Sequence, residues 1–233
     1  MLPPYQSLSY SDFADQSAAD AYRGALDRAA ADLGRHAPLV IGGTRVTTDD
    51  AIRSIDPSKP ARLVGTASSA TPAHAAEALT AAWAAFPDWS RRSADERATL
   101  VHRVGDLIAE RIYDFAAWQT YEAGKNWAEA EADVAEAIDF CRYYAHQALA
   151  MDEPVPVSEF PGETNESGLQ PIGAGVVIPP WNFPLAILVG MTLGPVAAGN
   201  TVVLKPASTT PMIGWGFMQV LAEAVRDHDS DKL

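Results

Sequence analysis

The order of apolar runs in the last third of the chain most constrains its fold. Gly175-Val176-Val177-Ile178 is an apolar run of strand length, and Phe183 to Ala198 reads as an apolar helix. Thr201-Val202-Val203-Leu204-Lys205 is a second apolar strand ending on a charge, and Pro211 to Val225 is a second helix. Strands that are apolar throughout, rather than alternating, are those covered on both faces. Strand, helix, strand, helix is then the βαβ pattern of an α/β fold with a doubly wound parallel sheet. Ligands in such sheets sit at the carboxyl ends of the strands. Pro179 to Asn182 and Lys205 to Ser208 both fall there.

Upstream the signals are mostly helical. Asp12 to Leu33 has alanine-rich helical spacing that Gly34 can end. Pro38-Leu39-Val40-Ile41 predicts a strand closed by Gly42-Gly43, and Ser54-Ile55-Asp56-Pro57 a strand end and turn. Leu63 to Thr66 predicts a further short strand. Thr71 caps a predicted helix that begins at Pro72 and carries Leu79, Ala82, Trp83 and Phe86. Ser93 and Glu96 form a capping box ahead of Leu100, Val104, Leu107 and Ile108. Asp114 to Glu122 and Trp127 to Leu149 read as two helices broken near Gly124. Pro154-Val155-Pro156-Val157 and Ser167-Gly168-Leu169-Gln170 flank a polar turn, which predicts an extended hairpin arm. The chain therefore divides into a mainly helical part over 1–151, an arm over 152–170 and the βαβα part over 171–233.

Of the 233 residues 48% are hydrophobic, enough for a substantial core. Seventeen lysines and arginines face thirty acids, a formal charge of −13. That excess argues against a nucleic-acid partner, which needs a basic face. The stretch Val176 to Ala198 reaches membrane length but holds Asn182, Pro179, Pro180, Pro184 and Pro195, so buried loop and helix is the expectation rather than a span. Met1 to Tyr10 has no basic region followed by an apolar one, and the single cysteine allows no intrachain disulfide. The expected setting is cytoplasmic. No metal site is expected.

Two residues could carry chemistry. Asn182, after a stiff Pro-Pro turn, could donate an amide hydrogen bond to a developing oxyanion, or it could cap the following helix. Lys205, ending a buried strand, could reach into a crevice as a donor, or be a surface lysine. Neither a Gly-x-Gly-x-x-Gly fingerprint nor a Walker sequence occurs, so local pattern alone identifies no dinucleotide site.

Taken together, Gly173-Ala174-Gly175-Val176-Val177-Ile178-Pro179-Pro180-Trp181-Asn182-Phe183-Pro184-Leu185 and Gly199-Asn200-Thr201-Val202-Val203-Leu204-Lys205-Pro206-Ala207 resemble the aldehyde dehydrogenase superfamily in order, spacing and wording. The resemblance runs from Gly34 to about Ala224. It implies an incomplete Rossmann-type cofactor domain with amino-terminal helices and an oligomerisation β-arm. It implies that Asn182 belongs to the oxyanion hole, that Lys205 binds a cofactor ribose, and that Ile178, Pro179, Pro180 and Trp181 line the cofactor cleft. Ser208 falls where many NAD-preferring members carry a glutamate. The smaller, uncharged serine would tolerate a 2′-phosphate, so NAD is expected and NADP stays open. Gly34 to Gly43, Tyr121-Glu122-Ala123-Gly124-Lys125-Asn126-Trp127 and Ala132 to Phe140 are similar to the 1-pyrroline-5-carboxylate dehydrogenases, which oxidise glutamate γ-semialdehyde to glutamate in proline catabolism. That similarity implies Glu136 beside the substrate and Phe183 against its aliphatic part. Glu136 also reads as one more charge on a solvated helix face.

The family's chain is more than twice this length. Its cysteine nucleophile, general-base glutamate and catalytic domain are not matched here, and Cys141 lies on a predicted helix rather than in a nucleophile loop. The polar ending Arg226 to Leu233 stands where the family continues into a glycine-rich loop. These departures lead to the expectation of a truncated product, inactive alone. The alternatives are an interaction module that pairs with a longer copy through the arm, as in a homo-oligomer, and one half of a split enzyme completed by a second chain.

Overall fold

A computed structural model describes residues 2–230. Asp15 caps α1 (Gln16–Asp32) by accepting from the Ser17 amide, while Asp12 is spent on the turn before it. Gly34, with φ +88°, turns the chain into β1 (Arg35–Ala37), a strand the sequence did not announce. β2 (Leu39–Ile41) and β3 (Thr44–Val46) form a hairpin around Gly42-Gly43, both at positive φ. Only glycine adopts two such residues in succession without steric cost. β4 (Ala51–Ile55) and β5 (Leu63–Ser68) complete a three-stranded sheet in the order β1-β5-β4. Its β1–β5 pair is parallel and its β4–β5 pair antiparallel.

Both anticipated helix starts are present. Thr71 and His74 form a reciprocal capping box on α2 (Pro72–Trp89), as do Ser93 and Glu96 on α3 (Ala94–Ala109). α4 (Ile112–Ala123) ends at Gly124 in the left-handed region, and Asn126 caps α5 (Trp127–Asp152) through the Glu129 amide. The last part is β6 (Ala174–Val177), α6 (Ala186–Ala197), β7 (Thr201–Leu204) and α7 (Pro211–Ser230). β6 and β7 pair in parallel with Ala174 opposite Thr201 and Val177 opposite Leu204. This is the predicted βαβα unit. The expected polar tail begins inside α7, and its last three residues, 231–233, lie outside the described residues.

α5 is the central pillar. Ala130, Val134, Ala137, Ile138, Cys141, Ala145 and Ala148 are buried along it at steps of three and four, the repeat of one helical face. Small residues let its neighbours approach. A Cβ on Gly105 of α3 would lie 2.8 Å from the Cys141 Cβ, and one on Gly190 of α6 would lie 2.9 Å from the Phe140 ring. Each wholly buried leucine or isoleucine in this layer, such as Leu107, Ile138 or Leu188, contributes about 1.5–3 kcal/mol. Tyr22 of α1 stacks on Trp127 at 4.7 Å, fixing α1 to the start of α5. Among the described residues no helix is long and apolar enough to cross a membrane.

Three sequence expectations are corrected. The arm over 154–170 holds no strand. Its limbs share one backbone hydrogen bond, Val155 N–H to the Ser167 carbonyl at 3.4 Å, around a turn closed by Glu163 N–H on the Phe160 carbonyl, and every residue from 151 to 170 is exposed. An isolated two-stranded ribbon with no face to bury is marginal in water. The strands expected to be buried are only half covered, with Val176 58% exposed, because β6 and β7 form a two-stranded sheet with no third strand beside them among the described residues. α6 starts at Ala186 rather than Phe183, since Trp181 to Leu185 make an irregular turn first.

The close α3–α5 contact gives a test of opposite signs. Gly105→Ala should destabilise by about 1–3 kcal/mol despite alanine's better helix propensity, because the new methyl overpacks the Cys141 contact. Gly24→Ala in α1, whose nearest neighbour is the mobile end of Arg28 at 3.5 Å, should be neutral or stabilising. Paired thermal melts check both.

Candidate functional site

Lys205 N–H donates to the Val177 carbonyl at 2.9 Å, so the parallel pair of β6 and β7 runs to its carboxyl edge, where both predicted segments leave. From β6 come Ile178, 59% exposed, buried Pro179, exposed Pro180, Trp181, 57% exposed, and then exposed Asn182 and Phe183. From β7 come Lys205 and, three residues on, Ser208, both exposed. The Lys205 ammonium donates to the Pro206 carbonyl at 3.0 Å. Gly214 of α7 admits this loop, since a Cβ there would lie 2.5 Å from Pro206 Cγ. The edge is open surface. The clefts bounded by Asp32, Phe115, Trp118 and Trp215 contain none of these residues.

The geometry decides against Asn182 as a helix cap. The first amides of α6 are taken by Asp133 of α5, whose Oδ1 accepts from Ala186 N–H at 2.7 Å and which also receives the Leu185 amide. No hydrogen bond from the Asn182 side chain occurs among the described residues. Its carboxamide, at an exposed turn held rigid from below, is free to donate.

Asp133 has no solvent exposure, and Lys125 Nζ lies 2.7 Å from its Oδ2. The same ammonium sits 4.7 Å from the centre of the Phe183 ring. Burial pushes the Asp133 carboxyl above its ordinary range, opposed by the Lys125 ammonium and the two amides. Glu136, one helical turn on, is also pushed up, first by burial and then by the negative charge of Asp133, with Lys125 pulling the other way. Glu136 is thus half-buried and electrostatically coupled to a pair rather than a charge on a solvated face. Glu136 and Phe183, which the resemblance places together at the substrate, both interact with Lys125, the first through its charge and the second through its ring.

Sequence reasoning passed over Lys125, Asp133 and Glu122. All three lay inside quoted motif stretches but carried no local sign of burial. Glu122 ends α4 and is 3% exposed. Its carboxylate accepts from the Met212 amide at 2.9 Å, the Ile213 amide at 2.8 Å and the Ser54 hydroxyl at 2.7 Å. It therefore holds the amino terminus of α7, where an anion meets the helix dipole and unpaired amides. Burial pushes its carboxyl up to about 7 against the pull of those three donors. Cys141 is fully buried, and burial drives its thiol up, away from the thiolate. No group of three or more His, Cys, Asp or Glu is placed to hold a metal among the described residues.

Comparison with known proteins gives a consistent answer. The sequence model described as "Aldehyde dehydrogenase family" matches residues 45–229. The 1-pyrroline-5-carboxylate dehydrogenase of Geobacillus thermodenitrificans is 45% identical over 224 residues, covering 96% of this chain and 44% of the relative. Among solved structures, a Thermus 1-pyrroline-5-carboxylate dehydrogenase with bound NAD superposes with a TM-score of 0.94 at 46% identity, over 96% of this chain and 43% of that one. A Mycobacterium tuberculosis Δ-pyrroline-5-carboxylate dehydrogenase bound with NAD superposes with a TM-score of 0.86 at 32% identity, over 96% of this chain and 42% of that one. The chain thus spans less than half the length of the relatives it matches.

The Glu122 carboxyl sets a pH signature. Its folded value near 7 lies above the ordinary 4.5, so the folded state holds the proton more tightly. Its contribution to stability is full below about 4.5 and is lost as pH rises through about 7. Glu122→Gln abolishes that slope, so the wild type's stability relative to the variant should fall steadily from pH 4.5 to 7 and level off above. Urea melts across this range measure the difference, and a difference independent of pH would exclude a titrating Glu122.

Proposed function

Since the chain belongs to the aldehyde dehydrogenase family, we propose that its residues form the cofactor side of an enzyme that oxidises glutamate γ-semialdehyde to glutamate. The balanced reaction converts aldehyde, NAD⁺ and water to carboxylate, NADH and two protons. The observation that carries this reading is the meeting of the Ile178–Phe183 turn and the Lys205–Ser208 loop at one carboxyl edge, with Lys125 over the Phe183 ring.

The exposed surface of that edge suits a nicotinamide dinucleotide. Ile178 and Trp181 offer apolar area to a planar ring, with Pro179 and Pro180 stiffening the wall. Among the described residues the Lys205 ammonium is bonded only to its neighbour's carbonyl, and it can turn to ribose hydroxyls. Uncharged Ser208 leaves room for a 2′-phosphate, so NADP is the alternative to NAD. When bound, the cofactor supplies the hydride acceptor. Asn182 donates an amide N–H hydrogen bond to the aldehyde oxygen as charge develops there. Phe183 packs on the aliphatic part of the substrate, and Glu136 stands beside it. Cys141 is the single cysteine of these 233 residues and is buried, so this reading takes the attacking thiolate from other residues, and the family resemblance assigns the glutamate that activates water to them as well. The segment 152–170 is assigned as an arm for association with a second copy.

A second reading is favoured by one observation. Val176, Ile178, Trp181 and Phe183 leave a contiguous stretch of chain with large apolar side chains exposed, and such surface promotes association. A chain that completes the enzyme in trans would cover it. Mixing this chain with the remaining residues of a relative, and following size and NADH formation, separates this reading from the first.

The purified chain should form no NADH from pyrroline-5-carboxylate and NAD, and Cys141→Ala should change nothing. Turnover lost on that substitution would overturn the assignment of Cys141. In a full-length enzyme carrying this segment, Asn182→Ala should lower kcat by roughly 10²–10³, about 3 kcal/mol, with the cofactor KM nearly unchanged. Lys205→Ala should raise the cofactor KM with a smaller effect on kcat. Exchanged phenotypes would overturn both roles.

A further inference from the structure

The turn that carries Asn182 and Phe183 has no regular hydrogen-bonded structure of its own, yet it must hold two side chains in fixed directions. Its support comes from α5 and from Lys125, two residues before that helix. Asp133 receives the amides of Leu185, the last residue of the turn, and Ala186, the first of α6. Lys125 neutralises Asp133 at 2.7 Å and lies against the Phe183 ring at 4.7 Å, with its side chain only 13% exposed. One ammonium therefore touches the turn twice, through the carboxylate that anchors its end and through the ring that projects from it. A cation over an aromatic face prefers the ring flat against it. A charge-assisted hydrogen bond restrains the carboxylate more firmly than a neutral one would.

We propose that Lys125 is the positioning residue of the Asn182–Phe183 turn, setting the ring plane of Phe183 directly and the seat of the turn through Asp133. It acts on the substrate through these residues and not by contact with it. The proposal rests on the reading that this turn serves the aldehyde. Its test uses neither cofactor nor aldehyde, so failure here leaves that reading standing, and failure of that reading leaves the positioning result standing.

The experiment uses the chain labelled with ¹³C-lysine. The sequence has four lysines, Lys59, Lys125, Lys205 and Lys232, and Lys125→Arg identifies the Lys125 signals by their loss. The Lys125 ε-methylene resonance is expected upfield of the other three because of the Phe183 ring current. Phe183→Leu, at a residue 40% exposed and outside the core, should move it back to the common position. Hydrogen exchange of the Leu185 and Ala186 amides should quicken by about tenfold or more in Lys125→Met, the scale of one lost charge-assisted bond. Lys125→Arg should retain most of the protection, and α1 amides should be unchanged in both. Three results would overturn the proposal: a Lys125 resonance indifferent to Phe183→Leu, Leu185 and Ala186 exchange unaltered by Lys125→Met, or arginine protecting no better than methionine. If Lys125→Met does not fold, the Phe183→Leu shift and the arginine exchange rates decide alone.

Discussion

A carboxylate without solvent exposure must find its hydrogen bonds inside the protein, and the chemistry-bearing end of this molecule depends on how Asp133 finds them. Two amides opening α6 and one lysine ammonium complete its shell. Removing one partner of such a buried pair typically costs about 3–5 kcal/mol, because the other charge is left stranded. The consequence is geometric as much as energetic. α5 is locked into the core by its small-residue face, and Asp133 transmits that rigidity to the start of α6. The turn bearing Asn182 and Phe183 is thereby tied to the best-packed helix of the molecule, although its own residues are exposed.

Glu122 repeats the arrangement at the second loop. It ends α4, is buried, and receives the Met212 and Ile213 amides that open α7. α7 follows the Lys205–Ser208 loop, and Gly214 lets Pro206 rest on it. Each helix of the βαβα unit is thus held at its amino end by an acid from the helical part upstream. The mainly helical part and the βαβα part form one packed body, since Val134, Ile138, Leu188 and Phe217 share a core cluster.

Much of this was legible in the sequence because it rested on local rules. The capping boxes at Thr71 and Ser93, the Gly42-Gly43 turn and the Gly124 break each have a short-range cause and appear where expected. The βαβα order was legible because strand and crossover helix differ in length and punctuation. What failed was context. Apolar strands imply cover on both faces, but β6 and β7 lack neighbouring strands among the described residues, so their side chains stay half exposed. The arm had strand-like composition and no surface to pair on. α6 began late because its cap is Asp133, about fifty residues upstream, which no local pattern reveals. Asn182 and Lys205 were found through two motif blocks together, and neither would have stood out alone.

Burial, more than residue type, sorts the reactive side chains. Cys141 is the most nucleophilic group by type, yet the α3–α5 interface holds it as a neutral thiol with the Gly105 backbone against its Cβ. Glu122 could serve as a base by type, but both its oxygens are committed to α7 and to Ser54. Asn182 and Lys205 are weaker reagents. Asn182 has its donors unspent, and Lys205 spends one bond on a neighbouring carbonyl that rotation can release. The open edge therefore retains groups suited to binding and to steadying developing charge, while Cys141 and Glu122 are fixed in the core. That division fits the proposed role of this edge as the cofactor side of an active centre.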